Sequence, residues 1–196
     1  SAIADKGCDD AIPIVEKANP IILSTGNKIE PEYDFIISGE MALVLTRTYN
    51  HYWQGAGLFG KHWISDFDYK LTFGTTALNS CYPRPGGGTC SIGANTTIYA
   101  WRPDGRTIKF IKNTADGVFY EDKASPIARI VREADGSFTH YSESKQAEVY
   151  SSAGYISSIS KYNVRWIFTY TNTTYLARVT HTSGRYVEFT WSGNQL

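Results

Sequence analysis

The sequence predicts an all-β fold: a curved antiparallel sheet of sequential hairpins behind a short lead-in with little helix. Three observations carry that expectation. Aromatic residues make up 14% of the 196-residue chain and charged residues only 19%, against roughly 25% charge in an average soluble domain, a balance that suits pleated, half-buried surfaces. From about residue 95 onward, short apolar segments alternate with turn signals: Asp104-Gly105, Asp116-Gly117, Asp135-Gly136, Ala153-Gly154, Ser183-Gly184 and Ser192-Gly193. Finally, the C-terminal half repeats itself with a period of about 20 residues, because Trp166 to Tyr170 superposes on Val187 to Trp191, and Ile156 and Ile159 superpose on Leu176 and Val179.

In chain order, residues 1–19 read as a lead-in segment, with a short helical turn from Asp9 to Ala18 limited by Pro13. Residues 20–94 read as a first β domain. Tyr33 to Ile37 and Ala42 to Tyr49 form a hairpin around Ser38-Gly39-Glu40, and Leu43, Leu45, Arg47 and Tyr49 share one face of its second strand. After the glycine-rich loop Gly55 to Gly60, an aromatic strand is expected from Trp63 to Phe73. Residues 95–196 read as hairpin repeats continuous with the preceding sheet. Each unit has two strands and two turns, too little to bury its own face, so neighbouring units must stack.

Three cysteines are present. Cys81 and Cys90 flank a loop of two prolines and three consecutive glycines, a turn that brings both sulfurs into range. A disulfide there stabilises the fold by roughly 2.5 to 3 kcal/mol in the chain-entropy model and points to an oxidising compartment, the rival being two reduced cysteines in a flexible loop. Cys8 is left free or paired elsewhere. No metal is expected at this loop, since a structural zinc site needs four ligands in short pairings.

Lysine plus arginine and aspartate plus glutamate both total 19, so the formal net charge is zero. Without a basic stripe there is no counterion-release term, and nucleic acid is a poor partner. No apolar run approaches the length of a membrane span. Ser1-Ala2 is a small-residue start of the kind that a removed secretion signal or an artificial boundary leaves.

The order of short motifs then resembles the RHS/YD-repeat proteins of bacteria. Asn19-Pro20-Ile21, Thr25-Gly26-Asn27-Lys28, Glu32-Tyr33-Asp34, Thr46-Arg47-Thr48-Tyr49-Asn50, Leu58-Phe59-Gly60 and Trp63 to Asp68, with Phe67 among them, are similar to the opening segment that precedes the repeats in secreted members. The second half resembles degenerate YD units. Tyr150, Gly154, Ile156, Ile159, Asn163 and Tyr170 follow the pattern once, and Tyr170, Leu176, Val179, Gly184 and Trp191 follow it again. Ser151, Thr171 and Ser192 stand where the signature aspartate belongs, and Thr174 replaces a glycine.

The resemblance implies a noncatalytic structural segment of a secreted, periplasmic or cell-surface bacterial protein. It would form or cap part of a β shell that encloses a C-terminal toxin or effector in related proteins. It implies as partners the remainder of the same polypeptide or an enclosed effector, and it implies that the chain is the opening segment of something longer. Nothing in it matches the glycine- and proline-rich self-cleavage core of family members that cut themselves.

Candidate chemistry is sparse. His51, His62, His140 and His181 are scattered without a metal-ligand pairing, and no nucleophile elbow or phosphate-binding glycine loop is present, so no cofactor is expected. Asp66 and Asp68 on one face of an extended strand would stand about 7 Å apart, a spacing that acid/base pairs of a hydrolase use, or would be solvated or paired with Arg47. Glu30, Glu32 and Asp34 form a row that could hold Ca²⁺ with two further ligands, or a wet face. Arg47 beside Trp63 or Tyr49 reads as a stacked strut. Trp53, Trp101 and Trp166, with Tyr170 and Trp191, are candidate platforms for a cell-surface glycan, the alternative function, or inward-facing aromatics of the curved sheet.

Overall fold

The computed structural model describes residues 21–22, 27–37, 39, 41–74, 96–172, 174–193 and 196. The lead-in, the expected helical turn at 9–18, Asn19, Pro20, Thr25, Gly26, Cys8 and the Cys81 to Cys90 loop lie outside the described residues. Within them the fold is all-β, without a helix.

Seventeen strands follow one another: β1 Ile21–Ile22, β2 Asn27–Ile37, β3 Leu43–Asn50, β4 Ala56–Gly57, β5 Gly60–Lys61, β6 Trp63–Ser65, β7 Lys70–Phe73, β8 Thr97–Trp101 and β9 Thr107–Lys112, then β10 Phe119–Glu121, β11 Arg129–Arg132, β12 Phe138–Tyr141, β13 Gln146–Tyr150, β14 Ile156–Lys161, β15 Val164–Thr171, β16 Tyr175–His181 and β17 Tyr186–Glu188. The first hairpin is β2–β3, as the alternation of its apolar residues requires, and it belongs to a four-stranded sheet ordered β1-β2-β3-β6. Strands β7 to β17 form one eleven-stranded antiparallel sheet in strictly sequential order.

The strand expected from Trp63 to Phe73 is in fact two, β6 and β7, assigned to different sheets. The break is made by Asp68, whose carboxylate accepts the Ser65 and Leu58 backbone amides at 2.6 and 2.8 Å. Those bonds offer the backbone an alternative to the ladder and turn the chain at Asp66-Phe67. Phe67, 3% exposed, is thereby delivered edge-on to Trp166 and Phe168 of the second sheet and to Phe189, just after its last strand. This aromatic joint and the bond from the Trp166 indole N–H to the Met41 carbonyl, 2.7 Å, fasten the two sheets together.

Five hairpin turns of the large sheet have one geometry. In the loops 102–106, 133–137, 142–146, 151–155 and 181–185, the first residue's N–H donates to the fifth residue's carbonyl and the fourth residue's N–H donates to the first's carbonyl. The fourth position has positive φ and is Gly105, Gly136, Gly154 and Gly184, with Lys145 the exception. This is the three-residue hairpin with a left-handed closing residue, which is why the Asp-Gly and Ser-Gly pairs recur where they do.

Side-chain alternation gives the sheet a dry face and a wet one. In β15, Trp166 and Phe168 are buried whereas Arg165, Ile167 and Thr169 are exposed. Cross-strand rows on the dry face run Phe73, Ile98, Phe110 and, further along, Ile130, His140, Glu148, Ile159, Trp166. Burial of each large apolar member contributes about 1.5–3 kcal/mol.

The sheet also rolls. Edge strand β7 meets the corner between β13 and β14: the Leu71 N–H donates to the Gly154 carbonyl at 2.9 Å, and Lys70 bridges to Tyr155. Phe73 packs on Phe138 with ring centroids 5.0 Å apart. A Cβ on Gly154 would come within 2.2 Å of the Leu71 carbonyl oxygen, so this corner requires glycine for close approach as well as for its φ.

Candidate functional site

The described residues that carry the chemistry fall into three places, two of which sequence reasoning singled out. Asn27 and Lys28 pair with Ile22 and Ile21, and Asp34 lies at the register shift in β2. In the expected row of Glu30, Glu32 and Asp34, the side chains of Glu30 and Asp34 lie outside those described. Glu32 already pairs with Arg47 at 2.6 Å. The Arg47 guanidinium also lies over Phe59 and Trp63, 5.0 and 5.5 Å from their centroids. Tyr49 meets Trp63 edge-on, and Gly60, at positive φ, closes the β4–β5 turn.

The Asp66 and Asp68 carboxylates are held in the turn between the sheets and not along one strand. Asp66 accepts the Thr46 amide, and burial raises its pKa despite that bond. Asp68 is occupied by two amides, as described above. Arg47 pairs instead with Glu32. Oxygens engaged by backbone N–H groups in this way position the turn.

Beside them the Lys70 ammonium, 6% exposed, lies 5.7 Å from the Trp53 ring and 5.5 Å from the Trp101 ring and donates to the Ala56 carbonyl at 2.9 Å. Burial pulls its pKa down to about 7, with Asp68 opposing. A cavity of about 50 Å³ lies among Asp68, Lys70, Tyr155 and Tyr170, room for a few waters. Trp53 and Trp101 meet edge-on with centroids 6.1 Å apart, and the Lys70 ammonium sits beside the pair. Trp101 is 4% exposed and donates to the Thr72 hydroxyl, and Trp166 is 8% exposed, so neither offers a flat ring to solvent. The exposed aromatics are tyrosines, Tyr52, Tyr162 and Tyr186 among them.

The third place was not legible at all. Arg102 makes a two-pronged ion pair with Glu148, both contacts 2.7 Å. In the strand order, β9 to β12 stand between the strand that precedes Arg102 and the strand that carries Glu148, so the pair crosses the interior of the roll. His140 Nδ1 lies 3.1 Å from Glu148, the Tyr150 hydroxyl donates to Glu148 at 2.6 Å, and Gln146 donates to it at 2.9 Å. Burial would push the Glu148 carboxyl up, but the Arg102 and His140 bonds outweigh it and hold the pKa well below the carboxylate range. Arg102 is likewise opposed by burial and raised by Glu148. Tyr69, under the guanidinium at 5.1 Å, is pushed up to about 12 by burial and by Glu148. A carboxylate this fully satisfied is a bolt.

Two residues of the roughly 20-residue repeat make the same contact. Tyr170 donates from its hydroxyl to the Ile156 carbonyl, 2.7 Å, and Trp191 donates from its indole to the Leu176 carbonyl, 2.8 Å. Tyr155 packs edge-on against Tyr170, and Tyr175 against Trp191. Register shifts recur at Val149/Tyr150 and Thr169/Tyr170. Tyr150, fully buried, departs by donating to Glu148.

Comparison with known families gives one match, over the part of the chain that contains the first sheet and the start of the second. Residues 18–110 match the Domain of unknown function (DUF6531). The DUF6531 region thus includes the Arg47 stack, the Asp66-Asp68 turn, Lys70 and Arg102, and it ends in β9. No curated protein matches the chain.

Proposed function

We propose that this chain is a noncatalytic structural segment of a secreted RHS-type bacterial protein, forming or capping part of a β shell around a C-terminal effector. The observation that carries the reading is the eleven-stranded sheet, sequential from β7 to β17 and rolled with its dry face inward. The DUF6531 match over residues 18–110 supports it at the N-terminal end, where the motif order resembles the opening segment of such proteins. The recurring Tyr170 and Trp191 contacts support the YD-like reading of the second half. The noncatalytic character is supported by the Asp66 and Asp68 carboxylates, which are engaged by backbone amides.

The test is the intact mass and protease map of the native gene product, taken from cells and medium of its own culture. The expected product is much larger than 21.9 kDa and contains a C-terminal segment that resists protease until the shell is unfolded. A secreted product ending near Leu196 with no protected companion would overturn the proposal and pass the lead to a glycan-binding surface built on the exposed tyrosines.

A further inference from the structure

The histidines that are scattered in sequence are not all scattered in space. His51, on the turn that follows β3, and His62, between β5 and β6, have ring centroids 5.5 Å apart with planes tilted by 34°. Two imidazoles bound to one tetrahedral ion through metal–nitrogen bonds of about 2.0–2.1 Å place their centroids about 5.3 Å apart. The observed separation matches that value to within about 0.2 Å.

The other ring nitrogens are spoken for in the way such ligands need. His62 Nδ1–H donates to the Trp53 carbonyl at 2.7 Å, which leaves Nε2 with its lone pair. His51 Nδ1 lies 3.3 Å from the Tyr49 hydroxyl, which can accept from Nδ1–H, and the site requires that tautomer because it leaves the Nε2 lone pair for the metal. A backbone carbonyl or hydroxyl on the far nitrogen fixes the tautomer and raises ligand basicity. His62 is anchored further by its backbone: its N–H donates to the Gly55 carbonyl and its carbonyl accepts the Asn50 N–H. His51 is exposed, which lets its ring adjust to an ion. Tyr49 and Tyr52 stand against the pair, Tyr49 edge-on to His62 and Tyr52 5.6 Å from His51.

We propose that His51 and His62 form a two-imidazole site for a late first-row divalent ion with water completing the coordination: Zn²⁺ in the tetrahedral geometry that the ring separation matches, and Cu²⁺ or Ni²⁺ once the exposed His51 ring adjusts to their tetragonal preference. Imidazole nitrogen favours these ions over Mg²⁺ or Ca²⁺. The ion would tie the end of β3 to the β5–β6 corner, and so brace the loop that carries Trp53 over Lys70. The site stands on the juxtaposition of the two rings and is independent of the shell reading.

The test is calorimetric titration of the whole chain with Cu²⁺, Ni²⁺ and Zn²⁺ separately, with free thiols blocked by N-ethylmaleimide, in parallel with His51→Gln, His62→Asn and, as a control, His181→Gln. Asparagine suits position 62 because φ there is 67°. The expected result is one site per chain, weakened at least ~10-fold in either variant and unchanged in the control, with the Cu²⁺ electron-spin-echo spectrum showing two coupled imidazoles. Equal affinity in the wild type and His51→Gln, or a spectrum with a single imidazole, would overturn the proposal. Because His51 is exposed, its variant and the spectrum carry the test even if His62→Asn perturbs the corner.

Discussion

The DUF6531 region and the hairpin repeats after it are both antiparallel β structure, yet they are held together differently. In the repeats one contact occurs twice, at Tyr170 and again at Trp191: an aromatic tip on a carbonyl near the start of an earlier strand, with an edge-on ring pair beside it. In the DUF6531 region each contact occurs once. Arg47 lies between Glu32 and two aromatic rings, Asp68 gathers two amides, and Lys70 is enclosed by two indoles. A repeated device spreads stability over many small terms, whereas single devices concentrate it in few residues. Substitutions should therefore cost most where a buried charge fastens the first region to the roll and least within one repeat.

The largest effect is expected at Glu148→Ala. It strands Arg102 inside the roll, and breaking a buried pair from one side costs about 3–5 kcal/mol. Urea unfolding of the variant against wild type measures it, and Glu148→Gln, which keeps the shape and part of the hydrogen bonding, should lose less.

Lys70 gives a pH signature of the opposite kind. Its folded pKa of about 7 lies below the ordinary 10.5, so between those values the unfolded chain holds the proton that the folded chain has released. Stability should rise as pH goes from 7 toward 10.5, until other groups titrate. Lys70→Met should flatten that rise; an unchanged slope in thermal melts across this range would show that the ammonium is not desolvated as described.

Intermediate losses are expected at two positions that look alike in sequence and differ in packing. Gly154→Ala meets the Leu71 carbonyl oxygen at 2.2 Å and also bears a φ of +94°, while Gly184→Ala meets nothing within 4 Å at a φ of +89°. Both bear the backbone strain of about 1 kcal/mol or more, and the difference between them isolates the closure of the roll. Equal destabilisation of the two variants would mean that the corner does not depend on that close approach.

The smallest effects belong to the repeat contacts. Tyr170→Phe and Trp191→Phe each remove one hydrogen bond to a carbonyl, worth about 0.5–1.5 kcal/mol, with some packing loss added for the indole. Their effects should add in the double variant, since each contact serves its own unit.

The repeat half was readable because its signals are local. Asp-Gly and Ser-Gly pairs mark residues that must close a turn, and alternation marks the face of each strand, so the all-β fold and the sequential hairpins follow without tertiary information. The stack of Arg47 on Trp63 was also readable, because both lie on neighbouring strands of one short segment. The break between β6 and β7 was hidden: Ser65 to Tyr69 alternates like a strand, and only the amides that reach Asp68 turn it. The Arg102–Glu148 bolt joins residues separated by β9 to β12, and His51 meets His62 through the backbone path of a loop. Such pairs depend on how the sheet rolls, which no periodicity encodes. The burial of Trp101 and Trp166 follows from the same roll, which turns the expected platforms inward.

The roll is tested most directly at one backbone amide. The Leu71 N–H is directed at the Gly154 carbonyl, across a gap that exists only if edge strand β7 has come round to the β13–β14 corner. Native-state hydrogen exchange followed residue by residue should find the Leu71 amide protected as strongly as the amides of central strand β12. A Leu71 amide that exchanges as an open edge does, while β12 stays protected, would show a sheet that has not closed and would contradict the account.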